Sequence, residues 1–97
     1  MYDAEKDLNY INRQLAYYLY IVGLDYENID FYTIDIIINR ARNLTQAPID
    51  EVESNKLNYH DNDLYLFLKN QRISLIGNIR RIWYMRQLAL GAIKNAV

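Results

Sequence analysis

The last third of the chain, residues 63–97, carries apolar residues at the spacing of a long α-helix. Asp61 or Asp63 is placed to cap its start, and Lys94 near its end complements the helix dipole. Two sets of apolar residues recur at steps of three, four or seven and form one broad face: Leu68, Leu75, Ile79, Ile82, Ala89 and Ile93, with Ile76, Trp83, Leu90 and Val97 beside them. This spacing predicts one long helix, or two stacked helices if the chain breaks near residues 70–77, because an interior glycine such as Gly77 weakens a helix.

Basic residues overlap this apolar face. Five of the six lie within about 120° of one another on a helical wheel: Lys69, Arg72, Arg80, Arg86 and Lys94; Arg81 points away. An unpaired charge is costly to remove from water. We therefore expect acidic residues from earlier in the chain to pair with Arg72 and Arg86, or the two side chains to extend past the edge of the core. A nucleic-acid phosphate or an acidic protein partner is the alternative.

Length, cysteine content and hydropathy limit the class of protein. Ninety-seven residues form a single domain, residues 1–97, with one modest core. The chain has no cysteine, which excludes disulfides and thiolate metal sites. The N-terminus is acidic, unlike a signal peptide, and the longest apolar run, residues 15–24, is about half a membrane span. We expect a soluble protein without membrane contact, located in the cytoplasm or within a viral particle.

The net charge of −1 conceals an asymmetry along the chain. Residues 1–60 hold ten acidic and five basic side chains, a net charge of −5, whereas residues 61–97 hold two acidic and six basic ones, a net charge of +4. These halves should attract each other, within one chain or between chains. Ten tyrosines, thirteen isoleucines and eleven asparagines have AT-rich codons and favour a phage, viral or mobile-element origin.

The first predicted helix spans residues 3–22 and begins at Asp3. Gly23 ends it, because glycine tolerates a left-handed backbone. A heptad-like apolar stripe runs along it: Ala4, Leu8, Ile11, Leu15, Tyr18 and Val22. Tyr10, Tyr17 and Ile21 lie nearly opposite this stripe, with Tyr20 adjacent. A helix that is apolar on every side is normally buried on every side, and tyrosine is enriched in interface cores. Tyr10, Tyr17, Tyr20 and Ile21 are therefore predicted to form a protein interface; exposed tyrosines that contact water are the alternative.

The middle of the chain is predicted to form two further helices. The first spans residues 30–45, with one face formed by Phe31, Ile34, Ile37, Ile38, Ala41 and Leu44. The β-branched run at residues 31–38 also fits a strand paired with residues 17–22. After a loop at residues 45–47, Pro48 fits the first turn of a short helix near 48–57, in which Ile49, Val52 and Leu57 cover one end of the bundle. The predicted fold is all-α: a compact bundle of three main helices, including one near 62–95, and one short connecting helix.

Few residues of the chain could support catalysis or metal binding. His60, Asp61 and Asp63 lack the glycine and terminal glutamate of a calcium loop, so a polar turn that ends in a helix cap is preferred to a metal site. One histidine and two serines offer little for a nucleophilic triad. We expect no catalytic residue, no cofactor and no metal.

The sequence thus favours a non-enzymatic interaction or assembly protein that forms a homo-oligomer or docks on a larger protein complex. The alternative is a small nucleic-acid-binding protein that uses Lys69, Arg80, Arg81 and Lys94 of the last helix, or an acidic partner protein bound by the same residues. The pI near 5.7 is low for a nucleic-acid-binding domain.

Overall fold

A computed structural model describes residues 3–54 and 62–95. It contains helix α1 (Ala4–Ile21), a 3₁₀ helix (Tyr26–Phe31), helix α2 (Ile34–Ser54) and helix α3 (Asn62–Asn95). No strand occurs in these two segments, so the all-α prediction is confirmed and the strand alternative for residues 31–38 is wrong.

Helix α1 is one residue shorter at each end than the predicted span 3–22, and the flanking Asp3 and Gly23 have their predicted roles. The carboxylate of Asp3 accepts a hydrogen bond from the backbone N–H of Lys6 at 3.1 Å. Gly23 has a φ of 78°, the left-handed conformation expected of the glycine after a helix. Ile11, Leu15 and Val22 of the predicted stripe are buried, as is Leu19.

Helix α2 starts later than predicted at its N-terminal end. Residues 26–31 form the 3₁₀ helix, where the Asp25 carboxylate accepts from the N–H of Glu27, and α2 starts only after Thr33. Tyr32 is extended between the two elements. Phe31 consequently lies outside α2 and is 80% exposed, although Ile37, Ile38 and Ala41 are buried as predicted.

Helix α2 also continues through Pro48, so the predicted loop at residues 45–47 and the separate helix near 48–57 are wrong. A proline inside a helix costs about 3 kcal/mol. Beyond Pro48 the side chains of Ile49 and Val52 are buried, and each contributes about 1.5–3 kcal/mol. Continued burial therefore outweighs the proline. Leu57 lies outside the described residues.

Helix α3 is continuous through Gly77, as predicted, and the alternative of two stacked helices is excluded. Helices α1 and α2 each pack against α3 and make little contact with each other. Arg86 of α3 contacts Asn12 of α1, whereas Arg72 and Tyr65 contact Thr45 and Glu53 of α2. The two helices thus occupy different parts of one side of α3. The molecule measures 61 × 27 × 17 Å, and its smallest dimension is about that of two packed helices.

Candidate protein-interaction surfaces

Three tyrosines lie on the side of α1 that faces away from α3. Tyr10, Tyr17 and Tyr20 are all exposed, and Tyr20 is 82% exposed. They lie opposite the buried side chains of Leu15 and Leu19, which fill the contact with α3. We call Tyr10, Tyr17 and Tyr20 the tyrosine face of α1.

Neighbouring side chains of α1 organise the tyrosine face. Gln14 donates a hydrogen bond from Nε2 to the hydroxyl of Tyr10 at 3.0 Å. The rings of Tyr17 and Tyr18 meet edge to face, with centroids 5.5 Å apart. Tyr10, Arg13, Gln14, Tyr17 and Tyr18 line a shallow open groove along the helix. The groove therefore exposes aromatic rings with phenol and amide groups between them.

Ile21, the fourth predicted interface residue, is not part of this exposed surface. Its side chain is half-buried and packs on the main core. At the end of α1 the chain turns through Gly23 into the 3₁₀ helix. Ile21 therefore lies at the border between the core and the tyrosine face.

A second apolar surface lies on α3, on the side opposite its buried residues Ile79 and Ile82. We call it the outer face of α3; its residues, all exposed, are Leu66, Ile73, Gly77, Tyr84 and Leu88. Sequence reasoning missed it because the stronger stripe along the same helix masks it. The signal was present, since Leu66, Gly77 and Leu88 recur every eleven residues and so stay on one side of a helix.

Arg72 and Arg86 have neutral partners, whereas the sequence suggested acidic ones. Arg72 donates from Nε to the hydroxyl of Thr45 at 2.8 Å and from Nη2 to the carbonyl oxygen of Arg42 at 3.0 Å, and also to Gln46 Oε1. Arg86 donates from Nε to Oδ1 of Asn12 at 3.1 Å and lies 5.7 Å from the ring centroid of Trp83. Arg72 thus links α3 to α2. Arg86 links α3 to α1 and also contacts an aromatic ring of α3 itself.

The four basic residues suggested as polyanion contacts are all exposed on α3. Arg81 donates to the sulfur of Met85, and the Lys69 ammonium lies 4.8 Å from the ring centroid of Tyr65. Lys69, Arg80 and Lys94 lie within about 40° of one another around the helix, whereas Arg81 points elsewhere. These three form a line along α3, spread over about 37 Å.

The Lys69 ammonium has an altered protonation equilibrium. Hydrogen bonding to Tyr65 raises its pKa above the ordinary value, and electrostatic interactions with Tyr65 and Glu53 act in the same direction. A raised pKa keeps a lysine protonated at and above neutral pH. Lys69 therefore stays positively charged throughout the physiological pH range.

Among residues 3–54 and 62–95, no group of three or more histidine, aspartate or glutamate side chains is arranged to hold a metal. His60 and Asp61 lie outside these segments, and Asp63 lies in the first turn of α3. None of the helices in the same segments is both long and apolar enough to span a membrane.

Comparisons of the chain with protein-family models, with curated proteins and with solved structures found no match.

Proposed function

We propose that this protein is a non-enzymatic helical assembly protein, which forms homo-oligomers or docks on a larger protein complex. The observation that carries the proposal is the exposure of Tyr10, Tyr17 and Tyr20 on one side of α1. Tyrosine is a favoured residue of interface cores, because it offers a large rigid ring and a hydroxyl that can hydrogen-bond.

Burial of the tyrosine face alone supplies too little free energy for a stable complex. If each ring loses about 100 Å² of exposed area, the three contribute roughly 7 kcal/mol at 25 cal/mol per Å². Association costs about 4–15 kcal/mol in lost translational and rotational entropy. A stable complex therefore needs further contact area, and the outer face of α3 offers it.

Charge supports association as well. The first 60 residues carry a net charge of −5 and the last 37 a net charge of +4, and such asymmetry favours encounters between complementary surfaces. Its effect is on the rate and orientation of encounter more than on affinity.

The test removes the three exposed tyrosine rings and leaves the buried residues of α1 unchanged. We expect the wild-type chain to sediment above the mass of one chain, alone or with a stoichiometric partner from its source. The triple variant Tyr10→Ser, Tyr17→Ser, Tyr20→Ser should lose the contact made through the tyrosine face and keep any contact made through the outer face of α3. It should therefore sediment at a lower mass than the wild-type complex, and its far-ultraviolet circular dichroism should be unchanged. Phe31→Ser is the matched control, because Phe31 is an equally exposed aromatic residue outside α1 and α3. A wild-type chain that stays single and recovers no partner would contradict the proposal.

A second candidate function is nucleic-acid binding by α3, favoured by the line of exposed Lys69, Arg80 and Lys94. Phosphate contacts release counterions, so binding should weaken steeply as salt is added. Replacing Lys69, Arg80 and Lys94 together by serine should lower both the affinity and its salt dependence. If the wild-type chain retains neither DNA nor RNA at low salt, this candidate is eliminated.

A further inference from the structure

The outer face of α3 is symmetric about its centre. Leu66 and Leu88 lie eleven residues before and after Gly77, about 16 Å away in each direction along the helix axis. At 100° per residue, both lie within about 20° of Gly77 around the helix. All three positions are exposed. Rotating the helix by 180° about an axis through Gly77 therefore exchanges the two leucine positions.

The residues between the leucines are complementary, not identical, across the same axis. Asn70 and Tyr84 lie seven residues before and after Gly77, and Ile73 and Arg81 lie four residues before and after it. All four side chains are exposed. In a two-fold pair, the hydroxyl of Tyr84 can donate to the amide oxygen of Asn70, and the aliphatic stem of Arg81 can cover Ile73 while its guanidinium stays in water.

Gly77 suits the centre of such a pair. A Cβ atom built at Gly77 would meet nothing within 4 Å, so this side of the helix backbone is open. The absence of a side chain lets another helix approach closely at this point. An interior glycine weakens a helix, and close approach of a second helix would compensate for that loss.

From these relationships we infer that a second copy of this chain packs on the outer face of α3, antiparallel to the first, with the two-fold axis at Gly77. The inference rests on the proposed function and names its partner. Leu66 of one copy contacts Leu88 of the other, twice. The interface is isologous, so it closes as a dimer and leaves the tyrosine face of α1 free for another contact.

The area available agrees with a dimer of modest stability. Centred on Gly77, two copies of α3 overlap over about 45 Å, and a strip about 11 Å wide gives roughly 500 Å² per copy. The total of about 1,000 Å² is at the lower limit for a specific protein interface. The dimer should therefore depend on concentration.

Cross-linking tests the antiparallel arrangement directly, and the chain has no native cysteine to interfere. We expect a mixture of the variants Leu66→Cys and Leu88→Cys to be joined by a short bis-maleimide. Neither variant alone should be joined, because its own cysteines would lie about 33 Å apart in the dimer. Cross-linking of either single variant indicates a parallel pair and overturns the inference, as does the absence of cross-linking in all three samples.

A glycine substitution provides a second test in which folding is preserved. Gly77→Leu strengthens the helix but blocks the close approach of a second α3. The midpoint of thermal unfolding at low protein concentration should therefore rise. The mass at higher concentration should fall from two chains to one. Gly77→Ala is the matched control, because it strengthens the helix in the same way but adds only a methyl group at the axis, where a Cβ atom meets nothing within 4 Å. It should raise the midpoint and keep the two-chain mass. Equal masses for both variants and the wild-type dimer would contradict the inference.

Failure of this inference and failure of the proposed function have different signatures. If the tyrosine variant loses a complex while the α3 variants leave it intact, the assembly proposal stands and the α3 dimer is wrong. If the wild-type chain neither self-associates nor recovers a partner, both are wrong.

Discussion

Arg86 of α3 donates a hydrogen bond from Nε to Oδ1 of Asn12 in α1, across 3.1 Å, and joins residues 74 positions apart in the chain. Both side chains are half-buried at the contact between the two helices. A hydrogen bond to a charged group contributes about 1.5–3 kcal/mol when buried, so partial exposure places this one near the lower limit.

Replacing Asn12 by alanine should therefore destabilise the fold by about 1–2 kcal/mol. Urea denaturation at low protein concentration measures the change. Gln14→Ala is the control, because Gln14 makes an exposed hydrogen bond to Tyr10 on the other side of α1. Its effect should stay within about 0.5 kcal/mol. Equal losses for the two variants would show that the Arg86 contact does not stabilise the docking of α1.

Adjacent isoleucines in α2 test how the helix packs. Ile37 is fully buried, whereas Ile36 is 42% exposed. Ile37→Ala should cost about 3–4 kcal/mol, because it removes buried methyl groups and leaves a cavity. Ile36→Ala should cost less than about 1 kcal/mol. Thermal or urea unfolding distinguishes them, and a reversed order would mean that α2 presents a different face to α3.

Pro48 tests the continuity of α2. Inside a helix, proline removes one backbone hydrogen bond and crowds the preceding turn, so Pro48→Ala should stabilise the protein by about 1–3 kcal/mol. At the first turn of a separate helix, proline would be favourable and the same substitution would lower stability. A decrease in the urea midpoint of Pro48→Ala would therefore contradict the continuous helix.

Substitution by alanine should lower the stability of the protein at one glycine and raise it at another. Gly23 has a positive φ that alanine adopts only with strain, so Gly23→Ala should cost about 1 kcal/mol. Gly91 lies inside α3 with open space at its Cβ position, so Gly91→Ala should gain up to about 1 kcal/mol. Differential scanning calorimetry at one protein concentration compares the two. Changes of the same sign would be inconsistent with the backbone described.

Local signals predicted much of this fold. Asp3 and Gly23 mark the start and the end of α1, because capping depends on only a few neighbouring residues. The buried residues of α1 and α3 follow from helical spacing alone, as Leu15, Ile79 and Ile82 show. These features need no knowledge of the tertiary arrangement.

Predictions failed where tertiary contacts decided the outcome. At Pro48 the local preference was for a helix start, but burial of Ile49 and Val52 keeps α2 continuous. Arg72 donates to the hydroxyl of Thr45 and so holds this part of α2 against α3. The exposure of Phe31 likewise follows from the 3₁₀ helix, which turns the chain before α2 begins.

The candidate surfaces show the same division. The tyrosine face was predicted from its position opposite the apolar stripe of α1, and the structure finds Tyr10, Tyr17 and Tyr20 exposed there. The outer face of α3 could not be separated from the core by spacing, because both sides of that helix carry apolar residues. Only the placement of α1 and α2 on one side of α3 shows which residues remain exposed.

The most direct measurement is the mass of the wild-type chain by sedimentation equilibrium over a series of concentrations. We predict a reversible increase from the mass of one chain to that of two, because the outer face of α3 is covered by a second copy. A mass that stays at one chain up to the highest soluble concentration would contradict this account.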